Sequence, residues 1–401
     1  MKKINIFTSD WDEIFYSGKN NFSNYAFPLY LFTTRLYNSL VEKGSKDVLF
    51  MSREGQFLKT LFDKYLLMRR ESGIETIPIR THYFYGSRNS IMTASMGPLE
   101  TETFEHFFRF FRFFMSAKMF LYSIGFTEEQ IQLVRENFGK ATDKICFNFS
   151  TSRIFKRLKQ NNVFRCIYDD IRTAQAKAFS AYMESFELDF IKDGVVFVDI
   201  GYHGTMQDLI FKFFDGKVNI TGYFIKCRAK SSENNQKIGL LSDNNNRFLG
   251  TKITKHNSFN YEQILRADHG RCVGYDFLDS KRAGPVLDKK FNAKEIFDKF
   301  VSPIQNEILV KFERIARLSR CEENGRVCTI YYYYMVKNKS KIDYNWLLNM
   351  QDCHHDDFGY VGYPGKAFVR WLRRVVFTIK DKKFVILNKH YINKLRKAIN
   401  I

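Results

Sequence analysis

Residues 193–226 read DGVVFVDIGYHGTMQDLIFKFFDGKVNITGYFIK, and this stretch decides the fold. Val195, Val196, Phe197 and Val198 form a short continuous apolar run bounded by Asp193-Gly194 and Asp199, the pattern of a strand covered on both faces. A glycine-containing loop follows, and Met206, Leu209, Ile210 and Phe213 then recur at helical spacing. Residues 218–226 supply a second strand. Strand, glycine loop, helix and strand in that order make a βαβ unit, which requires a parallel sheet.

Working outward, residues 48–51 (VLFM) read as another strand, Ser52-Arg53-Glu54-Gly55 as a polar loop, and Phe57, Leu58, Leu61, Phe62, Tyr65 and Leu66 as a helix face. A further strand is expected over 77–85, closing on Gly86-Ser87-Arg88. Residues of about 98–190 look helical throughout. Within them Phe104, Phe107, Phe108, Phe111 and Phe114 recur at helical spacing, and Thr127-Glu128-Glu129-Gln130 is a capping signal. The expected architecture is therefore α/β: a Rossmann-like parallel sheet in residues 1–287 with a largely helical insertion over about 98–190, then a basic, mainly helical region over 288–401.

The chain has 401 residues, enough for a large core without covalent staples, and its 45% hydrophobic and 17% aromatic content excludes intrinsic disorder. Seven cysteines without a CxxC pair suggest neither a disulfide framework nor a zinc site, which fits a reducing compartment. Polar residues interrupt the N-terminal segment, so no export signal is expected. The longest apolar stretch, 115–126, is broken by Ser116, Lys118 and Ser123, which argues against a spanning helix. A net charge of +20 favours an anionic partner. The basic pole is the segment 366–397, with eleven Lys and Arg against Asp381 alone. There Phe368, Trp371, Leu372, Val375 and Val376 fall at helical spacing beside Arg370, Arg373 and Arg374, a pattern that suits a membrane-surface helix or a core-packing one.

The candidate site is Asp199-Ile200-Gly201-Tyr202-His203-Gly204-Thr205, where a parallel strand ends and a helix begins. Gly201 and Gly204 let the backbone approach an anion, and Thr205 with the first helical amides can donate to phosphate oxygens. Asp199 can accept from sugar hydroxyls or hold a metal ion. An ordinary tight turn with a capping Thr explains the same letters. Arg53 and Arg88 follow separate strands and would open on the same sheet edge, and two guanidinium forks beside a phosphate loop make a polyanion site. Asp10-Trp11-Asp12 superficially matches a haloacid-dehalogenase-type nucleophile strand, but Glu13 and the absence of a following Thr or Gly argue against it. Cys353-His354-His355-Asp356-Asp357 matches no zinc spacing and reads as a polar loop.

Tyr25-Ala26-Phe27-Pro28, VLFMSREGQFL (48–58), YGSRNSI (85–91), VVFVDIGYHGTMQDLI (195–210) and YEQILRADHGRCVGYDF (261–277) together resemble the transferase module of bacterial dual-domain ribofuranosyltransferases, the glycan phosphoribosyltransferases. The resemblance runs from about residue 25 to 287, and the Asp-Ile-Gly-x-x-Gly-Thr-x-Gln string is its most specific part. It implies phosphoribosyl pyrophosphate as donor, Mg²⁺, transfer of 5-phosphoribose to a glycan hydroxyl, and release of pyrophosphate. Carried over by position, Asp199 contacts the ribose, while Gly201, Gly204 and Thr205 cradle the 5-phosphate. Ser52, Arg53 and Arg88 face the pyrophosphate, and Gly55, Ser87 and Gln207 complete the donor site. Glu54 and Asp199 are the metal ligands the resemblance suggests, and Glu54, Asp199 and His203 are the candidates for general base. The sequence lacks the fused phosphatase, which implies a separate one or a retained phosphate. It also has one acid where nucleotide phosphoribosyltransferases carry two.

These readings give a cytoplasmic glycosyltransferase of bacterial surface-polysaccharide assembly, such as capsule or O-antigen. It would be peripheral on the inner face of the membrane through its basic C-terminal region and would act on a lipid-linked glycan. The rivals are a phosphosugar hydrolase using the same anion site, and a non-catalytic basic module for membrane or nucleic acid. No helix-turn-helix, zinc finger or RNP-type strand is present in the sequence, so no specific nucleic-acid partner is expected.

Overall fold

A computed structural model of the protein describes residues 9–18, 21–108, 114–243, 260–289 and 293–332. The 366–397 tail and the Cys353–Asp357 string lie outside them. The strands, in chain order, are β1 (Asp47–Met51), β2 (Arg80–Phe84), β3 (Phe114–Met115), β4 (Cys146–Phe147), β5 (Val195–Tyr202), β6 (Ile220–Cys227), β7 (Asn235–Ser242), β8 (Cys272–Phe277) and β9 (Ala283–Leu287). Five form one parallel sheet in the order β2-β1-β5-β6-β7; β3 pairs with β4 and β8 with β9, both antiparallel.

Alternation along the strands divides the core in two. Val48 and Phe50 of β1 and Val196, Val198 and Ile200 of β5 pack into one cluster, with helices Ala26–Lys43, Gly55–Glu71 and Ser302–Leu318. Leu49 and Met51, and Val195 and Phe197, face a second cluster with helices Asn162–Glu184 and Thr205–Phe213. Helices therefore cover both faces of a parallel sheet, as the near-continuous apolar strands require. The helix from β1 to β2 lies on one face and the helix from β5 to β6 on the other. Right-handed crossovers that step in opposite directions along a sheet produce this arrangement. The chain enters the sheet one strand from the edge at β1, moves outward to β2, then crosses back over β1 to β5. The direction of winding thus reverses between β1 and β5.

Several expectations shift at their edges. The strand expected over 77–85 is Arg80–Phe84. β5 does not stop at Val198: Asp199, Gly201 and Tyr202 still pair with Phe224, Lys226 and Cys227 of β6, so most of the expected loop is strand. The insertion is mainly helical, and Thr127 forms the anticipated capping box with Gln130. Phe114, however, does not continue a helix from Phe104: it pairs with Phe147 in β3–β4. Residues 293–318 and 325–332 are helical, and Tyr30 and Tyr65 donate to the carbonyls of Glu322 and Cys321 in the turn between them, tying it to the first cluster.

β7 was not anticipated. Parallel strands usually need a crossover of a dozen or more residues with a helix, yet β6 and β7 are joined by 228–234 without one. That segment is held to β7 by the Ser231 hydroxyl, which accepts from the Lys237 amide at 2.9 Å and donates to its carbonyl at 3.2 Å. Among the described residues no helix is long and apolar enough to cross a membrane.

Candidate functional site

The reversal falls at the carboxyl ends of β1 and β5, the position where open α/β sheets bind ligands. The loops after β1, β2, β5 and β6 open there. Ser52, next after β1, is buried, and its amide donates to the Phe84 carbonyl at 2.8 Å. Its hydroxyl donates to the Gly86 carbonyl at 2.8 Å and accepts from the Gly86 amide at 2.9 Å. The Ser52-Arg53 peptide bond is cis. Ser87 caps helix Arg88–Ala94 by accepting from the Ser90 amide. Ser52 thus binds one loop to the other while Ser87 caps the helix of its own loop, and Arg53, half-buried, and Arg88, exposed, follow them on the same edge. Gly55 opens helix Gly55–Glu71 against the backbone of Phe50.

Asp199 is 8% exposed and lies on the second-cluster face near the end of β5. Its Oδ1 accepts from the Ile200 amide at 2.7 Å. Burial, and next the charge of Glu54, push its carboxyl up to about 7; the Ile200 amide and the Arg88 guanidinium oppose this, and Glu262 adds to it. Residues from the loops after β1 and β2, from β5 and from the 260–264 helix therefore act on one carboxylate. Tyr202, the last residue of β5, is raised by burial and by Glu262, with Arg228 opposing.

Segment 260–270 brings in groups to which the sequence reading assigned no role. The Tyr83 hydroxyl lies 2.7 Å from Nε2 of His269, whose Nδ1 faces the Gly270 carbonyl at 2.8 Å. A carbonyl only accepts, so Nδ1 carries the proton and Nε2 accepts from Tyr83. Burial lowers the basicity of His269, against the pull of Asp268 and Glu54. Gln56 donates to Asp268 at 3.2 Å, which ties this segment to the start of the helix after β1. The sequence offered one local signal for these groups, Glu262, Asp268 and His269 falling within eight residues of each other.

The two glycines of the β5 loop have demands of their own. Gly201 sits at φ +110°, and a Cβ there would stand 1.9 Å from the Lys226 carbonyl oxygen. Gly204 sits at φ +61°, with Cε of Lys237 2.9 Å from the same ideal position. Sheet pairing therefore explains Gly201, and the left-handed start of the helix beside Lys237 explains Gly204. Gly204 also leaves helix Thr205–Phe213 without a side-chain cap, so among the described residues the amides of Thr205, Met206 and Gln207 start the helix with no capping side chain. Thr205 is buried and His203 exposed. Gln207 is turned into the fold: its Nε2 donates to Asn235 Oδ1 at 2.6 Å and to the Gln236 carbonyl at 2.8 Å.

Asp199 and Glu54 fit a Mg²⁺ ion in one respect: a buried carboxylate raised by a neighbouring carboxylate is relieved by a cation, and Mg²⁺ takes one or two carboxylates together with substrate phosphates. Among the described residues no group of three or more His, Cys, Asp or Glu is arranged to hold a metal by itself. The sequence matches no protein-family model, and no curated protein matches it.

Proposed function

We propose that the protein is a glycosyltransferase of the phosphoribosyltransferase type, built on a Rossmann-like sheet. It would move 5-phosphoribose from phosphoribosyl pyrophosphate to a glycan hydroxyl. The observation that carries this reading is the convergence on Asp199 of Glu54 and Arg88 at the winding reversal of the sheet. A ribose needs hydroxyl acceptors, a pyrophosphate needs guanidinium donors, and both lie on this edge. In the reaction the bond from C1 to the pyrophosphate oxygen breaks, a bond from C1 to the acceptor oxygen forms, and the acceptor proton passes to a base. Charge stabilisation of the leaving pyrophosphate and the oxocarbenium-like sugar dominates such a step, so Arg53 and Arg88 are assigned to it. Asp199 orients the ribose. Glu54, Asp199 and His203 remain the candidates for the base. Mg²⁺, held by Asp199 and Glu54, would neutralise pyrophosphate charge when bound.

On this reading the enzyme works in the cytoplasm on a lipid-linked glycan of the bacterial surface, with a separate phosphatase removing the 5-phosphate. The test is incubation of the full chain with phosphoribosyl pyrophosphate, Mg²⁺ and lipid-linked glycan extracts, read by pyrophosphate release and by mass spectrometry of the glycan. A phosphopentose adduct formed together with pyrophosphate supports the proposal. Donor consumed equally without acceptor makes the protein a phosphosugar hydrolase, and donor left intact in every extract overturns the reading.

A further inference from the structure

A cavity of about 330 Å³ lies beside the start of helix Thr205–Phe213, bordered by His203, Asp208, Lys230, Ser231, Ser232 and Lys237. It occupies the region where the crossover from β6 to β7 runs without a helix. A polar network underlies it. Gln207 donates to Asn235, Asn235 donates to Asp208 Oδ1 at 2.8 Å, and Lys237 Nζ reaches the same oxygen at 2.5 Å and the His203 carbonyl at 3.3 Å. Lys237 is buried, its side chain 4% exposed, so this ion pair is fixed in place.

The network decides what the cavity suits. Lys237 is neutralised by Asp208, and only Oδ1 of Asp208 is engaged among the described residues. An acceptor oxygen, Oδ2, is left on a rigid, partly exposed carboxylate beside the hydroxyls of Ser231 and Ser232 and the ammonium of Lys230. A phosphate would meet that carboxylate as a like charge. A neutral polyhydroxylated ring instead donates to the carboxylate and accepts from Lys230 and the Ser232 hydroxyl, the Ser231 hydroxyl being committed to the Lys237 backbone, and the cavity volume falls at the small end for organic ligands. His203 borders the cavity and belongs to the same turn that follows Asp199 and Gly201 in β5.

We infer that this cavity binds one neutral sugar unit of the acceptor, placing the glycan on the far side of the 201–204 turn from the donor. The inference rests on the glycosyltransferase reading for the word acceptor, while sugar binding itself can be measured separately. The experiment uses saturation-transfer NMR on the full chain with a panel of methyl hexopyranosides, together with calorimetry of phosphoribosyl pyrophosphate. Ser232→Trp fills the cavity from an exposed position, and Asp208→Asn removes the open carboxylate. The expected result is saturation transfer to at least one methyl glycoside in the native protein, its loss in Ser232→Trp and its weakening in Asp208→Asn, with donor affinity unchanged in Ser232→Trp. Transfer that persists in Ser232→Trp, absence of transfer across the panel, or displacement of the glycoside by inorganic phosphate would each overturn the inference. Sugar binding lost in Ser232→Trp alongside no donor binding in the native protein would keep the sugar site and remove the donor reading.

Discussion

The hydroxyl of Tyr83, on β2, donates to Nε2 of His269 across 2.7 Å, joining the sheet to a segment 186 residues later in the chain. Because burial lowers the basicity of His269, the imidazole stays neutral in the fold while the unfolded chain takes up a proton below its ordinary value near 6.5. The stability from this pair is therefore present above about pH 6.5 and is lost as the pH falls through the lower folded value. Tyr83→Phe should cost about 1–3 kcal/mol at pH 8, the range for a buried acceptor left unmatched. His269→Gln should flatten the acid limb of the stability curve. Urea unfolding from pH 5 to 8 measures both, and an acid limb unchanged in His269→Gln counts against the neutral-imidazole assignment.

Asp199 carries the opposite sign. Its folded value, about 7, lies above its ordinary one, so the fold favours the protonated form, and stability is lost as the pH rises through about 7. Asp199→Asn should therefore unfold later than the native protein at pH 8, by on the order of 3 kcal/mol, and the gain should vanish near pH 4. The same variant should abolish sugar transfer. A variant that is more stable and fully active would separate Asp199 from the chemistry.

Arg53→Ala and Arg88→Ala should each weaken phosphoribosyl pyrophosphate binding by about 1.5–3 kcal/mol, the value of a hydrogen bond to a charged group. Their unfolding midpoints should barely move, since Arg53 is half-buried and Arg88 exposed. Calorimetry and thermal unfolding read together decide the matter: a large stability loss with unchanged donor affinity would make these arginines structural.

Gly201→Ala and Gly204→Ala should differ in severity. At Gly201 the added methyl meets a backbone carbonyl within the sheet, so β5 and β6 must separate and most of the protein should fail to accumulate in soluble form. At Gly204 the obstacle is side chain rather than backbone, the stem of Lys237, which must shift although Asp208 holds its ammonium, and the left-handed backbone of a non-glycine residue adds roughly 1–2 kcal/mol. Soluble yield and unfolding midpoint would reveal equal effects if the close approach at Gly201 were unimportant.

The strands that were legible in the sequence are the ones whose burial is written locally. Residues 48–51 of β1 and 195–198 of β5 are unbroken apolar runs, and the glycines that follow the second announced the βαβ unit. β7 was hidden because NQKIGLLS mixes Lys237 with Gly239 and follows a connection too short to suggest a parallel partner. β8 and β9 escaped because their pairing is a relation between segments rather than a pattern within one. At the site, Arg53, Arg88 and Asp199 could be grouped from their positions after strands. Tyr83, Glu262, Asp268 and His269 could not, since only folding brings 260–270 over the loop after β1. Gln207 shows the converse: its position in the motif suggested a ligand contact, yet its amide is bonded to Asn235 and Gln236.

The alternation of β5 gives Asp199 a further consequence for how the chain finds its register. Ile200 belongs to the cluster beneath helices Ala26–Lys43 and Gly55–Glu71, while Asp199 faces the other way. A slip of one residue would exchange them and drive the carboxylate toward the apolar cluster that holds Phe27, Phe50 and Phe62. Desolvating an acid there costs several kcal/mol even after it takes up a proton. One polar residue at the end of an apolar strand thus acts as a ratchet pawl, admitting the native alignment of β5 and blocking its nearest competitor before any ligand is present.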